Sequence, residues 1–177
     1  MTFWNIFFNK PTIQNSSKSG KYHQDKILLV QNIKTDNDVQ EIYFTLSKEI
    51  NLYDLEQLCD SVGWVKRPLQ KVKIALEHSF LTICVFKKQH NLRKLIGFAR
   101  ATSDHSFNAT IWDVAIHPTF QKQGLGKILM NQVIKELRSY DISTITLFAD
   151  PEVINFYKNL GFITDPDGVK GMFWYPL

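Results

Sequence analysis

One stretch of the chain limits its possible folds more than any other, because it joins a strand, a proline, a short polar loop and a glycine-rich helix start. The strand is predicted over residues 109–116 and ends at His117-Pro118, since a proline cannot continue a ladder of hydrogen bonds. Gln121 to Gly126 then open a helix whose apolar residues recur on a helical period at Leu129, Val133, Ile134 and Leu137. A strand that leads directly into a helix is typical of a mixed α/β domain.

The remaining sequence alternates between strand-like and helix-like patterns. Apolar and β-branched runs predict further strands at 27–30, 41–46, 81–86, 95–102 and 144–149, with a last strand pair over 162–164 and 171–175. Apolar residues spaced by three and four predict helices over 52–62 and 68–76, and another helix beginning at Pro151. This order predicts one mixed α/β domain around a single sheet over residues 26–177, preceded by a flexible polar arm over residues 1–25.

Cysteine usage and charge exclude several classes of protein. Cys59 and Cys84 are far apart and form no CxxC pair, so neither a disulfide framework nor a zinc site is expected. Cys84 lies in an apolar run and is predicted to be a buried small hydrophobe. The histidines show no metal-ligand spacing, and no metal is expected. The formal net charge of +4 favours an anionic ligand, but no nucleic-acid-binding motif accompanies it.

The sequence also lacks the usual targeting signals. No apolar run reaches the ~20 residues that cross a bilayer, so no transmembrane segment is expected. The aromatic-rich start has neither the basic region of a secretory signal nor the Arg/Ser-rich character of a transit peptide. We therefore expect the protein to work in the compartment where it is made.

The glycine-rich helix start predicts an anion site. A helix N-terminus exposes N–H groups that have no intrahelical partner, and the helix dipole adds positive charge there, so phosphate binds readily. Gly124 and Gly126 allow an anion to approach closely, while Lys122 and Lys127 add positive charge beside the turn. Neither the dinucleotide motif GxGxxG nor the Walker motif GxxxxGK[ST] is present. A glycine-rich turn without a ligand is the alternative that this segment alone leaves open.

Three segments together resemble the GNAT acetyltransferase superfamily. They are Asp113-Val-Ala-Ile-His-Pro118, Gln121-x-x-Gly124-x-Gly126 and Phe156-Tyr-Lys-Asn-Leu-Gly-Phe162, and they occur in the order and separation of that superfamily. The resemblance covers roughly residues 26–177. The stretches 53–59, 62–68 and 97–104 further resemble the plastid-encoded and cyanobacterial group that is related to plant plastid serotonin or lysine acetyltransferases. This resemblance implies a plastid-encoded protein of the chloroplast stroma, or a cytoplasmic one if it is cyanobacterial.

The same resemblance implies a fold and a co-substrate. The fold is a mixed, mostly antiparallel sheet with about four helices, in which the family's fourth and fifth strands, here about 110–116 and 144–149, are parallel and splayed. The co-substrate is acetyl-CoA, whose pantetheine arm would pair with the Val114 and Ile116 backbone and whose pyrophosphate would be held by amides from 122–127. Asp150 stands where the family often has asparagine, and an ionised carboxylate accepts but does not donate a hydrogen bond. The implied cofactor-binding residues are Val114, Ala115, Ile116, Gln121, Lys122, Gln123, Gly124, Leu125, Gly126, Lys127 and Asp150.

Two side chains are implied to carry the chemistry. Tyr157 matches the family's acid, which donates a proton to the departing thiolate, although an aromatic packing role is the alternative. Asp113 is the first candidate for the base that accepts the amine's proton, and a structural carboxylate is the alternative. Asp104 is a second candidate base, whereas His117 is expected to make hydrogen bonds in its loop.

The implied activity is transfer of an acetyl group to a primary amine by direct attack in a ternary complex. The acceptor stays open between an arylalkylamine such as serotonin and a protein lysine or N-terminus. Trp64 is either one wall of the acceptor site or part of the core, and Lys66-Arg67 either face solvent or receive an acidic segment. Monomer and homodimer are both compatible with the sequence. An inactive acyl-CoA sensor and an interaction module that docks through its aromatic arm are the alternative functions.

Overall fold

A computed structural model describes residues 27–35, 38–89 and 92–176 of the chain. The chain forms two compact units, one over residues 22–148 and one that includes residues 149–176, and each is described by itself. The predicted arm over residues 1–25 lies outside the described residues and stays a prediction.

The first unit is built on a six-stranded sheet whose spatial order follows the chain. Each of the first five strands is antiparallel to its neighbour, while the fifth and sixth are parallel. The mixed, mostly antiparallel sheet is therefore confirmed. The strands are β1 (Ile27–Thr35), β2 (Asp38–Thr45), β3 (Leu81–Gln89), β4 (Leu92–Ser103), β5 (Asn108–Ile116) and β6 (Thr144–Leu147).

Four α-helices occur in the described residues, as the resemblance implied. They are α1 (Leu52–Ser61), α2 (Leu69–Glu77), α3 (Leu125–Ser139) and, in the second unit, α4 (Ile154–Lys158). Asn51 begins α1 by accepting hydrogen bonds from the next turn, and Gly63 follows its end at a φ of 80°. Ile74 of α2 is 55% exposed, because it lies two residues before buried Leu76 and so points to nearly the opposite side of the helix.

The core fills both faces of the sheet. On one face, buried residues of α1 pack with Phe98 and Ala115, and Cys84 belongs to the same cluster, so its predicted burial is confirmed. Helix α3 packs on β3, β4 and β5 through fully buried side chains. Those side chains are Leu129, Met130, Val133 and Leu137.

Gly97 holds β4 close to its neighbours at the level where β5 ends. A Cβ at this position would lie 2.7 Å from Ile116 Cδ1 and 2.9 Å from Val85 Cγ2, and both of these side chains are buried. A larger residue would have to push buried atoms apart, and overpacking of this kind typically costs about 1–3 kcal/mol. Glycine therefore keeps in place the strand end from which the glycine-rich loop departs.

The predicted last strand pair over 162–164 and 171–175 was wrong, because the second unit forms no strand in its described residues. The intervening turn carries two left-handed residues, Asp165 and Asp167, at φ of 48° and 54°. An isolated two-stranded hairpin is at best marginally stable, and here most of the apolar side chains stay in solvent. Met172 and Trp174 are 94% and 85% exposed.

Candidate active site

The parallel strand β6 pairs with only the first half of β5. Their pairing runs from Asn108 opposite Thr144 to Ile111 opposite Leu147, where β6 ends. The strand predicted over 144–149 is thus two residues shorter than expected. Residues 112–116 of β5 continue without a strand partner on the β6 side among the described residues. This leaves an open backbone edge that leads toward the glycine-rich loop.

The backbone N–H and C=O groups along this edge point alternately toward β4 and away from it. The His117 N–H donates to the Ile96 carbonyl at 2.8 Å, so the groups of His117 point toward β4. Because successive residues of a strand direct their N–H and C=O to opposite sides, the groups of Val114 and Ile116 point away from β4. The Ile116 carbonyl accepts a hydrogen bond from the Gln121 side chain at 2.8 Å.

A β-bulge interrupts β5 at Asp113. Phe98 pairs with Ala115 and Arg100 pairs with Trp112, so two residues of β5 face one residue of β4. Asp113 takes a left-handed φ of 54°, which an aspartate tolerates better than most residues. The bulge therefore changes the direction of β5 just before its open edge.

Both carboxylate oxygens of Asp113 are occupied by arginines. Arg100 Nε donates to one oxygen at 2.6 Å and Arg67 Nη1 to the other at 3.0 Å. The side chains of Asp113 and Arg100 are only 17% and 15% exposed, so water screens this pair weakly. Arg67 comes from the loop between α1 and α2, and the ion pair ties that loop to the bulge. A carboxylate held in this way is better suited to positioning than to accepting a proton.

The loop after β5 is shaped by side-chain hydrogen bonds. His117 Nδ1 accepts from the Thr119 N–H at 3.3 Å, and a short 3-10 turn follows over Pro118–Phe120. The Gln121 N–H donates to the Pro118 carbonyl, and the Gln123 side chain donates to the Thr119 carbonyl. Gln121 thus uses both its backbone and its side-chain amide to shape the loop.

The helix start presents a row of unpaired amides. None of the backbone N–H groups from Lys122 to Lys127 makes a hydrogen bond within the described residues, and Ile128 is the first to donate, to the Gly124 carbonyl. Lys122 and Gly124 have left-handed φ values of 59° and 84°. Left-handed residues among right-handed ones turn successive amides toward one point, which is how a backbone nest binds an anion. Buried Leu125 anchors the turn, and the lysine side chains at both of its ends are exposed.

In the second unit, Tyr157 is held by the end of α4. The Phe162 N–H donates to the Tyr157 carbonyl and the Gly161 N–H to the Lys158 carbonyl, with Gly161 at a φ of 94°. These are the hydrogen bonds of a Schellman motif, and the Tyr157 and Phe162 rings supply its usual apolar contact at 5.9 Å. Burial, and secondarily the charge of Asp150, raise the pKa of Tyr157. The phenol therefore keeps its proton at neutral pH and can donate it.

Asp104, the second candidate base, has a different role. One of its oxygens accepts from the backbone N–H groups of residues 106–108, and the other accepts from the Asn108 side chain. These hydrogen bonds, those from Asn108 above all, lower the pKa of its carboxyl. Asp104 closes the turn between β4 and β5, at the opposite end of β5 from the bulge. The expectation of a base is therefore corrected to a turn cap.

His117 makes hydrogen bonds within its own loop. Burial, and to a lesser extent the charge of Lys94, lower its pKa, so the ring is neutral at neutral pH. Its Nδ1 is already an acceptor for the loop backbone.

A cavity of about 150 Å³ opens between α1 and α2. Its wall includes Trp64, which is half-buried and also packs against the core cluster, while its role in an acceptor site stays a prediction. Glu56 lines the cavity with an oxygen that is buried and has no hydrogen-bond partner in the described residues. Lys66 Nζ forms an ion pair with that oxygen at 3.1 Å, and the Lys66 side chain is mostly exposed. Arg67 also lines the cavity and links it to Asp113.

Sequence patterns missed the partners of Asp113. Arg67 was expected on a solvated face or against an acidic segment, and nothing singled out Arg100 or Glu56. No local motif marks Arg67 or Arg100, because these residues are 46 and 13 positions away from Asp113 in the chain. The described residues contain no group of three His, Cys, Asp or Glu side chains placed to bind a metal ion. No helix in that part of the chain is long and apolar enough to span a membrane.

Comparison with known proteins agrees with this geometry. The model of the acetyltransferase (GNAT) family matches residues 50–162, and the chain belongs to this family and is an N-acetyltransferase. It is 61% identical to the "Uncharacterized N-acetyltransferase ycf52" of Gracilaria tenuistipitata var. liui, with all of both chains covered. It is 47% identical to the "GCN5-related N-acetyltransferase 2, chloroplastic" of Arabidopsis thaliana, over 84% of this chain and 64% of the relative.

The fold is shared with a solved structure as well. The GNAT family acetyltransferase of Streptococcus pneumoniae TIGR4 superposes with a TM-score of 0.64 at 22% identity, over 76% of this chain and 98% of that one. Identity at this level shows the fold alone. Membership of the family implies acetyl-CoA as the acyl donor and an amine as the acceptor.

Proposed function

We propose that the protein transfers acetyl from acetyl-CoA to a primary amine by direct attack in a ternary complex. The observation that carries this proposal is the row of unpaired amides at 122–127, next to the open backbone edge of β5. Such a helix start suits a pyrophosphate, and such an edge suits an extended amide-containing chain that pairs like an added strand.

The residues of the two features fit acetyl-CoA. Backbone groups of Val114 and Ile116 point to the open side and are suited to the amides of the pantetheine arm. The amides of Lys122 to Lys127, with both lysine side chains, are suited to the pyrophosphate. When bound, acetyl-CoA supplies an acetyl thioester and a thiolate leaving group. Gln121 and Ala115 shape this surface, while Asp150 stays a proposed acceptor for a pantetheine amide.

Three side chains have proposed roles in the reaction. A lysine-like ammonium must lose a proton before it attacks, which costs roughly 4 kcal/mol at neutral pH. Glu56 lines the cavity and, among the described residues, pairs there only with the exposed Lys66, so its carboxylate is suited to receive the ammonium, and Trp64 to contact its carbon chain or ring. Tyr157, protonated at neutral pH, is the proposed hydrogen-bond donor to the leaving thiolate.

The acceptor cavity leaves two classes of amine open. A volume of about 150 Å³ holds one aromatic ring, and an alkyl ammonium fits as well. Arylalkylamines and protein lysines or N-termini are therefore both proposed acceptors. Because the similar Arabidopsis thaliana protein is chloroplastic by name, we propose a plastid stromal location for this chain.

An acetylation assay tests the function. Purified protein with acetyl-CoA is given serotonin, lysine peptides and peptides with a free N-terminus, and product is measured by mass spectrometry beside CoA release. We expect amine-dependent CoA release with at least one acceptor, and loss of most of it in Glu56→Gln, with Glu152→Gln as an exposed control. Binding of acetyl-CoA without CoA release for any amine would instead favour an acyl-CoA sensor.

Asp113→Asn tests whether Asp113 positions the site or accepts a proton. Asparagine tolerates the left-handed φ of residue 113, so the change removes the charge and adds little backbone strain. Leaving Arg100 unpaired at 15% exposure is expected to lower the free energy of unfolding by about 3 kcal/mol. We expect a higher acceptor KM with the shape of the kcat pH profile unchanged, measured by denaturant unfolding and steady-state kinetics. Loss of a titration from that profile would instead make Asp113 the base.

A further inference from the structure

The end of the β3–β4 hairpin brings together four cationic side chains. In the observed register Lys87 lies opposite Lys94, and Lys88 lies opposite Arg93. Like charges directly opposite each other on neighbouring strands destabilise a sheet. Glu41 of β2 lies opposite Lys88 and offsets the charge of that pair. The Lys87–Lys94 pair is therefore the unfavourable one, and an anion bound between its two cations would relieve the repulsion.

Among the described residues, no carboxylate lies opposite Lys87 or Lys94 on a neighbouring strand. None of the four side chains forms an ion pair with a residue in the described ranges. Arg93 is partly compensated, because its guanidinium lies 3.7 Å from the centroid of the Phe86 ring. Lys94 and Lys88 are exposed and make no such contact with an aromatic ring of the described ranges.

The Lys87–Lys94 pair faces the loop that leads into the glycine-rich turn. Lys87 Nζ lies 5.7 Å from the centroid of the Phe120 ring, and Phe120 directly precedes Gln121. Lys94 acts electrostatically on His117, the residue that caps the same loop. Alternation along the strands places Lys88 and Arg93 on the other face of the hairpin. One pair of cations is therefore beside the loop that leads to the amides proposed to hold a pyrophosphate, and the other pair is not.

We propose that Lys87 and Lys94 bind the ribose 3′-phosphate of coenzyme A, and that the protein thereby distinguishes coenzyme A from its 3′-dephospho form. This inference rests on the proposed function. The 3′-phosphate is a monoester that carries about −1.5 to −2 charges at neutral pH, and one ribose separates it from the pyrophosphate. Two lysines beside residues 117 and 120 match that charge and that short separation. Lysine acts here as a point charge on a flexible stem, which suits a phosphate that remains partly in solvent.

Calorimetric titration of the full chain with coenzyme A and with 3′-dephospho-coenzyme A tests the proposal. The wild type is expected to bind the dephospho form about tenfold more weakly, a typical effect for loss of charge-assisted contacts. The double variant Lys87→Met/Lys94→Met is expected to bind both forms with equal affinity. Its coenzyme A affinity should also fall less steeply with salt concentration. Lys88→Met, which removes a cation from the opposite face of the same hairpin, should keep the wild-type preference.

Each outcome decides the question. Equal binding of the two forms by the wild type, or an unchanged preference in the double variant, overturns the proposal. The same holds if Lys88→Met abolishes the preference as strongly as the double variant does. Binding of neither form by the wild type would overturn the proposed function itself. Denaturant unfolding shows whether the double variant is folded. Because the variant lacks the repelling pair, its free energy of unfolding is expected to equal or exceed that of the wild type.

Discussion

Replacing Tyr157 by phenylalanine is expected to lower kcat by roughly 100-fold while the dissociation constant of acetyl-CoA changes less than about twofold. Phenylalanine keeps the ring that packs against Phe162, so the Schellman motif at the end of α4 stays intact. Only the hydroxyl is lost, and with it the proposed hydrogen bond to the leaving thiolate. Steady-state kinetics and calorimetric titration separate the two effects.

The pH dependence gives this prediction a second measurement. Burial raises the pKa of Tyr157 above its ordinary value near 10, so the phenol is protonated throughout the neutral range. The wild-type kcat is therefore expected to fall only above about pH 10, where the phenol ionises, and Tyr157→Phe should lack that fall. Tyr175→Phe, in the same unit and 72% exposed, is the matched control and should behave as the wild type. Equal kcat for Tyr157→Phe and wild type at every pH would remove Tyr157 from the mechanism.

Gly124→Val is expected to weaken acetyl-CoA binding by roughly 10- to 100-fold. The φ of 84° at this position suits glycine, whereas a residue with a Cβ loses about 1–2 kcal/mol there. A Cβ at Gly124 would meet no atom of the described residues within 4 Å, so that part of the protein has room for it. Gly124 lies in the middle of the row of unpaired amides that is proposed to hold the pyrophosphate. We therefore expect most of the effect on the ligand, measured by calorimetric titration with acetyl-CoA.

Gly168→Val separates backbone strain from the loss of the anion site. Gly168 has a φ of 78° and likewise no atom within 4 Å of an added Cβ, but it lies in the second unit beside no predicted ligand. Both variants should lose similar stability in denaturant unfolding. Only Gly124→Val should lose affinity for acetyl-CoA. Unchanged affinity in Gly124→Val would place the cofactor elsewhere on the protein.

The chain's local patterns are strong around the glycine-rich loop. Proline stops β5, Gly124 begins α3 and Gly161 ends α4, and each of these residues acts through its own backbone conformation. Such preferences are properties of one to four residues, so the sequence predicts these element ends without knowledge of the rest of the fold.

A prediction from strand propensity alone was wrong at the C-terminal end. Residues 171–175 are aromatic and suited to a strand, yet they form none, because a strand needs a neighbour to pair with. In the same way, β6 ends at Leu147, where its pairing with β5 ends, although Phe148 and Ala149 continue the apolar run. Pairing is decided between segments, and no single segment encodes it.

The sequence by itself determined the element order as far as α4, the glycine-rich turn and, through its motifs, the family. Only the tertiary structure decided the environment of the charged groups: Asp113 between two arginines, Asp104 as a turn cap, and Lys87 opposite Lys94. The physical reason is the separation along the chain between the groups that interact. Backbone conformation depends on near neighbours in the chain, whereas the state of a charge depends on whatever the register and packing bring within a few ångströms.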